Sequence, residues 1–273
     1  MAKLYIQKDD QQEISIDEVV PGLRFLKLTH KAGPIVSNWT TVNGRDGERQ
    51  HGAYTYGPST TTADFFFKAS DYPDFRLAVD KLSNLFRSRT PLRIRDSVQP
   101  GIVQYGVVQE YDMAALNFID SQFSVPFAIT GGMRQSLLRS DDDWNKGIEL
   151  GMELPTNPVP QYVFASGSFS VYNPSDIDID PFEQNHDLNV TAYVDGSPTI
   201  TNKTTGRSFT YERGLNASQK LELRGVDAFV DGNPAGINTD WGDLNLKAKT
   251  WNEITVTGCT VKSITFSFPF LFF

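Results

Sequence analysis

At 273 residues the chain is long enough for two domains of the usual ~100–200 residues, and its 39% hydrophobic and 21% charged residues exclude a disordered polymer. A single cysteine, Cys259, excludes an internal disulfide and a cysteine-built metal cluster. The net charge of −8 falls wholly in the second half: residues 1–135 hold 15 Lys+Arg and 15 Asp+Glu, residues 136–273 hold 10 and 18, an acidic balance that argues against nucleic-acid binding there.

The first twelve residues, MAKLYIQKDDQQ, have no apolar core of the kind a signal peptide needs, and no run in the chain approaches the ~18 apolar residues of a membrane span. Membrane contact is therefore not expected. From Arg24 to Tyr56 the pattern predicts short strands and turns. Gly33-Pro34 interrupts the alternating FLKLTH, and NGRDGERQH forms a glycine-bounded loop rich in charge. DFFFKA (64–69) reads as a strand buried on both faces.

One helix is predicted, over about 73–86. Phe75, Ala78, Val79, Leu82, Leu85 and Phe86 make a single apolar stripe at helical spacing, Pro73 suits a first turn, and Asp71 or Ser70 serves as N-cap. A stripe of that kind packs on a sheet, which gives the first half an α+β character. Strand-like PLRIRD, YGVVQEYDM and ALNFIDSQFSVPF follow. Gly131-Gly132, the acidic SDDDWN and PTNPVPQ mark an interdomain arm or linker at 136–160, with a short helix around Asp143–Met152.

Beyond that arm the chain reads as strand after strand. Leu188, Val190, Ala192 and Val194 alternate, and so do Ile264, Phe266, Phe268, Phe270 and Phe272, each set marking one buried side of a sheet. Turn signals separate the runs at Asp195-Gly196, Thr205-Gly206, Arg213-Gly214 and Asp231-Gly232-Asn233. The expected class is mainly β: an N-terminal β-sandwich domain with one helix at 1–135, and an all-β sandwich at 161–273.

Catalytic and metal signatures are missing from the sequence. There is no phosphate-cradling GxxxxGK[ST], no GxSxG elbow, and His30, His51 and His186 lack neighbours at ligand spacing. Asp176, Asp178, Asp180 and Glu183 in DIDIDPFE open like a calcium loop, but Pro181 stands where that loop needs glycine. The alternating Ile177 and Ile179 read instead as a strand with acids facing water. Cys259 reads as a small buried hydrophobe. Trp144, Trp241 and Trp251 are candidate sugar platforms. Trp241, with Asp240 and Asp243 beside it as hydroxyl partners, is the most loop-like of them, although aromatics more often serve cores and interfaces. Arg87, Arg89, Arg93 and Arg95 form a basic set after the helix that suits an exposed strand face or a subunit contact better than DNA.

The order of short motifs resembles the distal tail (Dit) family of long-tailed (siphovirus) bacteriophages. The residues that carry the resemblance are Val42-Asn43-Gly44-x-x-Gly47-Glu48, Leu82-x-x-Leu85-Phe86, Pro91-Leu92-Arg93-Ile94 and Phe118-Ile119-Asp120-x-x-Phe123-x-x-Pro126-Phe127. In the second half they are Asn173-Pro174, Ile200-Thr201-Asn202, Thr204-Thr205-Gly206 with Phe209, and Ile264-x-Phe266-x-Phe268-Pro269-Phe270-Leu271-Phe272. The resemblance implies a structural protein without enzymatic activity or cofactor. Its N-terminal sandwich would form a homohexameric ring at the distal end of the virion tail, and its C-terminal domain would be a galectin-like, jelly-roll sandwich. The implied partners are the tail tube protein on one face and a tail-associated lysin or tail-fibre hub on the other, with DNA only in transit through the channel. The chain would be made in the host cytoplasm. On this reading Asn43, Gly44, Arg45, Gly47, Glu48 and Arg49 are candidate ring or tube contacts, the alternative being a solvated hairpin tip. The rival function is a carbohydrate-binding module for host cell-wall saccharide, centred on Trp241.

Overall fold

The computed structural model describes residues 2–9, 11–117, 119–144 and 151–273, the side chains of His51 and Ala53 excepted. The chain divides into two compact units, residues 1–134 with 273, and residues 135–272. Among the described residues no helix is long and apolar enough to cross a membrane.

The first unit contains β1 (Leu4–Gln7), β2 (Ile14–Ser15), α1 (Ile16–Val19), β3 (Leu23–Lys31), β4 (Ile35–Thr41), β5 (Glu48–Tyr56), β6 (Ser59–Lys68), α2 (Tyr72–Phe86), β7 (Leu92–Asp96), β8 (Ile102–Val108) and β9 (Asp120–Ile129). Seven of these strands hydrogen-bond in the order β2-β1-β7-β8-β9-β6-β3. Leu4 and Ile6 of β1 and Leu23 and Phe25 of β3, near opposite ends of that order, share one core cluster. Ile16 and Val20 of the α1 region belong to the same cluster. β6 alternates buried and half-buried residues, so Phe65 and Phe67 point inward while Phe66 does not. DFFFKA is thus buried on one face, because β6 lies between β3 and β9 and the core covers only its inner side.

Helix α2 lies over this core. Phe75, Ala78, Leu82 and Phe86 are buried, with Val79 and Leu85 packed at the margin. The Asp71 carboxylate accepts the Asp74 N–H at 2.8 Å, Asp74 in return accepts the Ser70 N–H at 2.9 Å, and Pro73 sits in the first turn. Phe86 closes the helix against Phe127 at 5.9 Å and Tyr111 at 5.7 Å, both edge-on.

The second unit contains β10 (Arg134–Arg139), β11 (Val163–Phe164), β12 (Ser168–Asn173), α3 (Pro181–Gln184), β13 (Asn189–Asn202), β14 (Ser208–Thr210), β15 (Leu221–Arg224), β16 (Asp227–Val230), β17 (Asn233–Pro234), β18 (Thr250–Ser267) and β19 (Pro269–Phe272). Its main sheet runs β11-β18-β13-β15-β16-β17, with β12 also on β18 and β14 on β13. β13 and β18, 14 and 18 residues long, pair along nearly their whole lengths, with register shifts beside Val194 and Gly196. At the second shift two glycines meet. A Cβ on Gly196 would lie 2.6 Å from the Gly258 carbonyl oxygen, and one on Gly258 would lie 2.3 Å from that of Ser197. Only bare backbone fits this crossing, and there the ribbon bends.

The terminal phenylalanines are buried as their alternation predicts, but not on one strand. β18 stops at Ser267, and all of β19 is buried on both faces, Leu271 included. β19 pairs with β10. Three interior serine hydroxyls complete its hydrogen bonding: Ser140 accepts the Phe268 N–H at 3.1 Å, Ser136 that of Phe270 at 2.9 Å, and Ser175 that of Leu271 at 3.0 Å. The expected arm at 136–160 thus falls within the second unit, with Trp144 stacked on Phe270 at 5.0 Å. Of the expected helix at 143–152, residues 145–150 lie outside the described residues.

Three fully buried asparagines, Asn173, Asn202 and Asn252, tie loop 245–247 to the strands. Asn173 donates to the Leu246 carbonyl at 3.0 Å. Asn202 donates to the Asn245 carbonyl at 2.7 Å and to Asn252 Oδ1 at 3.1 Å, and Asn252 Oδ1 accepts the Lys247 N–H at 2.8 Å. Two of the three, Asn173 and Asn202, belong to the motifs quoted above. Their amides supply donors and acceptors that no apolar side chain could.

Candidate functional site

β4 and β5 form a two-stranded sheet of their own. The ribbon continues the β3–β6 ladder past a neck where Gly33-Pro34 meets Gly57-Pro58, and Gly57 N–H donates to the Pro34 carbonyl at 2.8 Å. A Cβ on Gly33 would lie 2.2 Å from the Gly57 oxygen, so the neck is closed backbone against backbone. Beyond it Ile35 stands opposite Tyr56, Val36 opposite Thr55, and Trp39 opposite Gln50, with an irregularity between. Ile35 is 65% exposed, Trp39 50% and Tyr54 55%, and Val36, Val42 and Tyr56 are exposed with them.

The sequence-predicted contacts lie at the tip of this ribbon. Asn43, Gly44, Arg45 and Gly47 form the turn, where Arg45 N–H donates to the Val42 carbonyl at 3.2 Å, and Glu48 and Arg49 open β5 opposite Thr41 and Thr40. Gly44 and Gly47 take φ of 79° and 78° with open space round them, so the backbone alone demands glycine there. All six residues are exposed. The exposed apolar residues on the strands behind them escape sequence reading, since alternation marks a strand and assumes its apolar face is covered.

Trp241 stands 79% exposed at φ 58°, a left-handed conformation that bulky residues rarely adopt. Asp240 holds the turn, accepting the Thr210 and Gly242 N–H groups, each at 2.9 Å. Burial would raise the Asp240 carboxyl pKa, but these N–H donors hold it below its ordinary value. Asp243 pairs with Arg207, accepting from one guanidinium nitrogen at 2.8 and 2.9 Å. Asp243 is thus taken up by an ion pair, whereas the bonds to Asp240 both fall on its Oδ1. The other two tryptophans of that set are half-buried against other rings: Trp144 on Phe270, and Trp251 against Tyr172 at 5.2 Å.

The DIDIDPFE carboxylates do not converge, and the segment is a loop instead of a strand with its acids in water. Asp180 caps α3 by accepting from Phe182 and Glu183, and Asp178 accepts the Ala248 N–H at 2.7 Å. Asp176 pairs with Lys249 and Glu183 with Arg207. Among the described residues no cluster of three His, Cys, Asp or Glu is placed to hold a metal. Cys259, read as buried, is half-buried beside Gly196, and that burial pushes its thiol pKa up. The basic set divides in two. Arg93 and Arg95 both pair with Glu13, whereas Arg87 and Arg89 line a cleft at the end of α2.

Residues 9–129, within the first unit, match the family model described as the phage tail protein RIFT-related domain. No curated protein sequence matches the chain. Among solved structures, the Dit (gp 19.1) protein of phage SPP1 is 12% identical with a TM-score of 0.67, the match covering 98% of this chain and 99% of that one. It is described as a paradigm of the hub adsorption apparatus in phages infecting Gram-positive hosts. A chain of the phage P2 baseplate, in its activated conformation with Ca, is 9% identical with a TM-score of 0.42 over 98% of each chain. The resemblance read from the sequence is borne out: residues 9–129 match the phage tail protein RIFT-related domain, and the chain as a whole shares its fold with the SPP1 Dit protein.

Proposed function

We propose that this protein is a structural hub of a phage tail tip: a closed homohexameric ring at the distal end of the tail, joining the tail tube protein to a tail-associated lysin or fibre hub and leaving a channel for DNA. The single observation that carries the reading is the β4–β5 ribbon. A lone two-stranded ribbon is marginal in water, and an exposed apolar patch on one marks an interface. Here six exposed apolar side chains sit on or beside such a ribbon, behind a charged glycine tip. A neighbouring subunit that covers them would supply the heterologous contact from which rings close. The family match to the first unit and the fold shared with the SPP1 protein support the same reading.

The test is solution mass with negative-stain imaging, comparing the parent chain with Trp39→Glu/Tyr54→Glu. Parent rings near six times 30.5 kDa and a monomeric variant are the expected pair. A parent chain that stays monomeric with and without tail tube protein overturns the reading. Replacing Arg45 and Arg49 by Glu asks separately whether the tip residues contribute to ring or tube contact.

A second reading rests on Trp241, whose ring is displayed at 79% exposure by a turn that strains its backbone. It assigns the second unit a weak contact with host cell-wall saccharide. Binding of wall polymer to the full chain, lost in Trp241→Ala, would support it; equal binding by both would end it.

A further inference from the structure

The C-terminal end of α2 opens onto a cleft of about 750 Å³, within the size range of peptide and small-ligand sites. Its floor is aromatic: Phe86 is 2% exposed and meets Tyr111 edge-on at 5.7 Å, with Val108 alongside. Its rim is of mixed charge, with cations in excess. Lys8, Arg87 and Arg89 line it, against the carboxylates of Asp9 and Glu110. Asp9 is occupied, since it accepts the Thr90 hydroxyl. Lys8 Nζ donates to the Arg87 carbonyl at 3.0 Å, which ties the first strand's end to the helix terminus and leaves the Arg87 guanidinium out of that bond. Among the described residues neither Arg87 nor Arg89 forms an ion pair, although Arg93 and Arg95, a few residues on, both do.

Two unpaired guanidiniums over an aromatic floor suit a ligand with carboxylates at its edges and one apolar group between them. We propose that this cleft binds an acidic peptide segment of another protein, with its carboxylates on Arg87 and Arg89 and one apolar side chain seated against Phe86 and Tyr111. A polynucleotide fits less well, because its phosphates form an unbroken line that must pass Asp9 and Glu110, whereas a peptide can set its carboxylates on the arginines and uncharged residues beside those two. A second copy of this chain is a poor donor. In its own acidic run, Asp141–Asp143, Asp142 already accepts the Arg139 N–H at 2.8 Å, and the adjoining Trp144 is stacked on Phe270. The inference stands on the cleft and not on the ring reading, so either can fail alone.

The test uses the full-length chain against an array of acidic twelve-residue peptides, each with a central Leu, Phe, Tyr or Trp, followed by fluorescence anisotropy on the best binder. The expected result is saturable binding that weakens with salt and falls about tenfold or more in Arg87→Glu/Arg89→Glu, as truncated charge pairs do. Lysine-substituted peptides should gain affinity for that variant, and a peptide with Gly at the centre should lose it for the parent. The proposal is overturned if no acidic peptide binds, or if the variant binds them as the parent does. It is equally overturned by tighter binding of a single-stranded oligonucleotide, or by self-association of the parent that the Arg87→Glu/Arg89→Glu change abolishes.

Discussion

Two antiparallel ribbons in this molecule, β4–β5 and β13–β18, are built alike and do opposite work. Both have a positive-φ glycine: Gly44 and Gly47 at the tip of the first, Gly196 and Gly258 at the crossing of the second. In β13–β18 alternate side chains enter a core on both sides of the glycine crossing, and other strands pair with both flanks. In β4–β5, among the described residues, no further strand pairs with either partner, and the apolar residues are exposed, Tyr56 alone meeting another ring, that of Phe273, at 4.8 Å. Pairing alone, then, does not decide stability. What decides it is whether the ribbon's apolar side is removed from water within its own chain, and a ribbon left uncovered is available to another molecule.

The comparison can be attacked first where burial is greatest. Phe266→Ala on β18 should cost about 3–5 kcal/mol in urea unfolding, since the ring is wholly buried and meets Phe169 at 5.9 Å. A loss under 1 kcal/mol would mean that this ribbon is not the stabilising one. Next, Asn252→Ala should cost about 2 kcal/mol, because it strands the Lys247 N–H and one Asn202 amide hydrogen inside the unit. Asn252→Asp, which keeps the acceptor, would separate that hydrogen bond from loss of packing.

A smaller, pH-dependent effect is expected in the first unit. Burial works to raise the Glu13 pKa, but hydrogen bonds and charge from Arg95 and Arg93 hold it below the ordinary value. A native pKa lower than the unfolded one stabilises fully above the unfolded value, near 4.3, and that contribution is lost as pH falls through the native one. The urea midpoint of Glu13→Gln should therefore sit below the parent's at pH 6 and converge with it toward pH 3. A constant gap would break the assignment. The smallest change in stability belongs to the bare ribbon. Trp39→Glu/Tyr54→Glu should move the unfolding free energy of the monomer by no more than about 0.5 kcal/mol while assembly is lost. A large loss of monomer stability would show that the ribbon is covered by its own chain after all.

Much of this was legible in the residues. The α2 stripe is read from Phe75 to Phe86 because a 3.6-residue period over four turns has no competing pattern. Burial of Ile264, Phe266, Phe268, Phe270 and Phe272 is likewise read correctly. The break at Ser267 is not, because the partners that end one strand and start the next are Ser136 and Ser140, more than a hundred residues earlier. The same distance hides the division of the arginine set, since the carboxylate that satisfies Arg93 and Arg95 is Glu13, some eighty residues before them. Phe66 turns outward for a reason of position in the sheet that DFFFKA does not contain. At the candidate site, the tip glycines announce the turn, but nothing local announces that Trp39 and Tyr54 stay in solvent.

Gly196 stands opposite Cys259 at the crease, and neither Gly196 nor Gly258 has room for a Cβ, so the curvature of the long ribbon rests on those two positions. Substitutions on either side can then accumulate without flattening the scaffold, provided that those two positions keep their bareness.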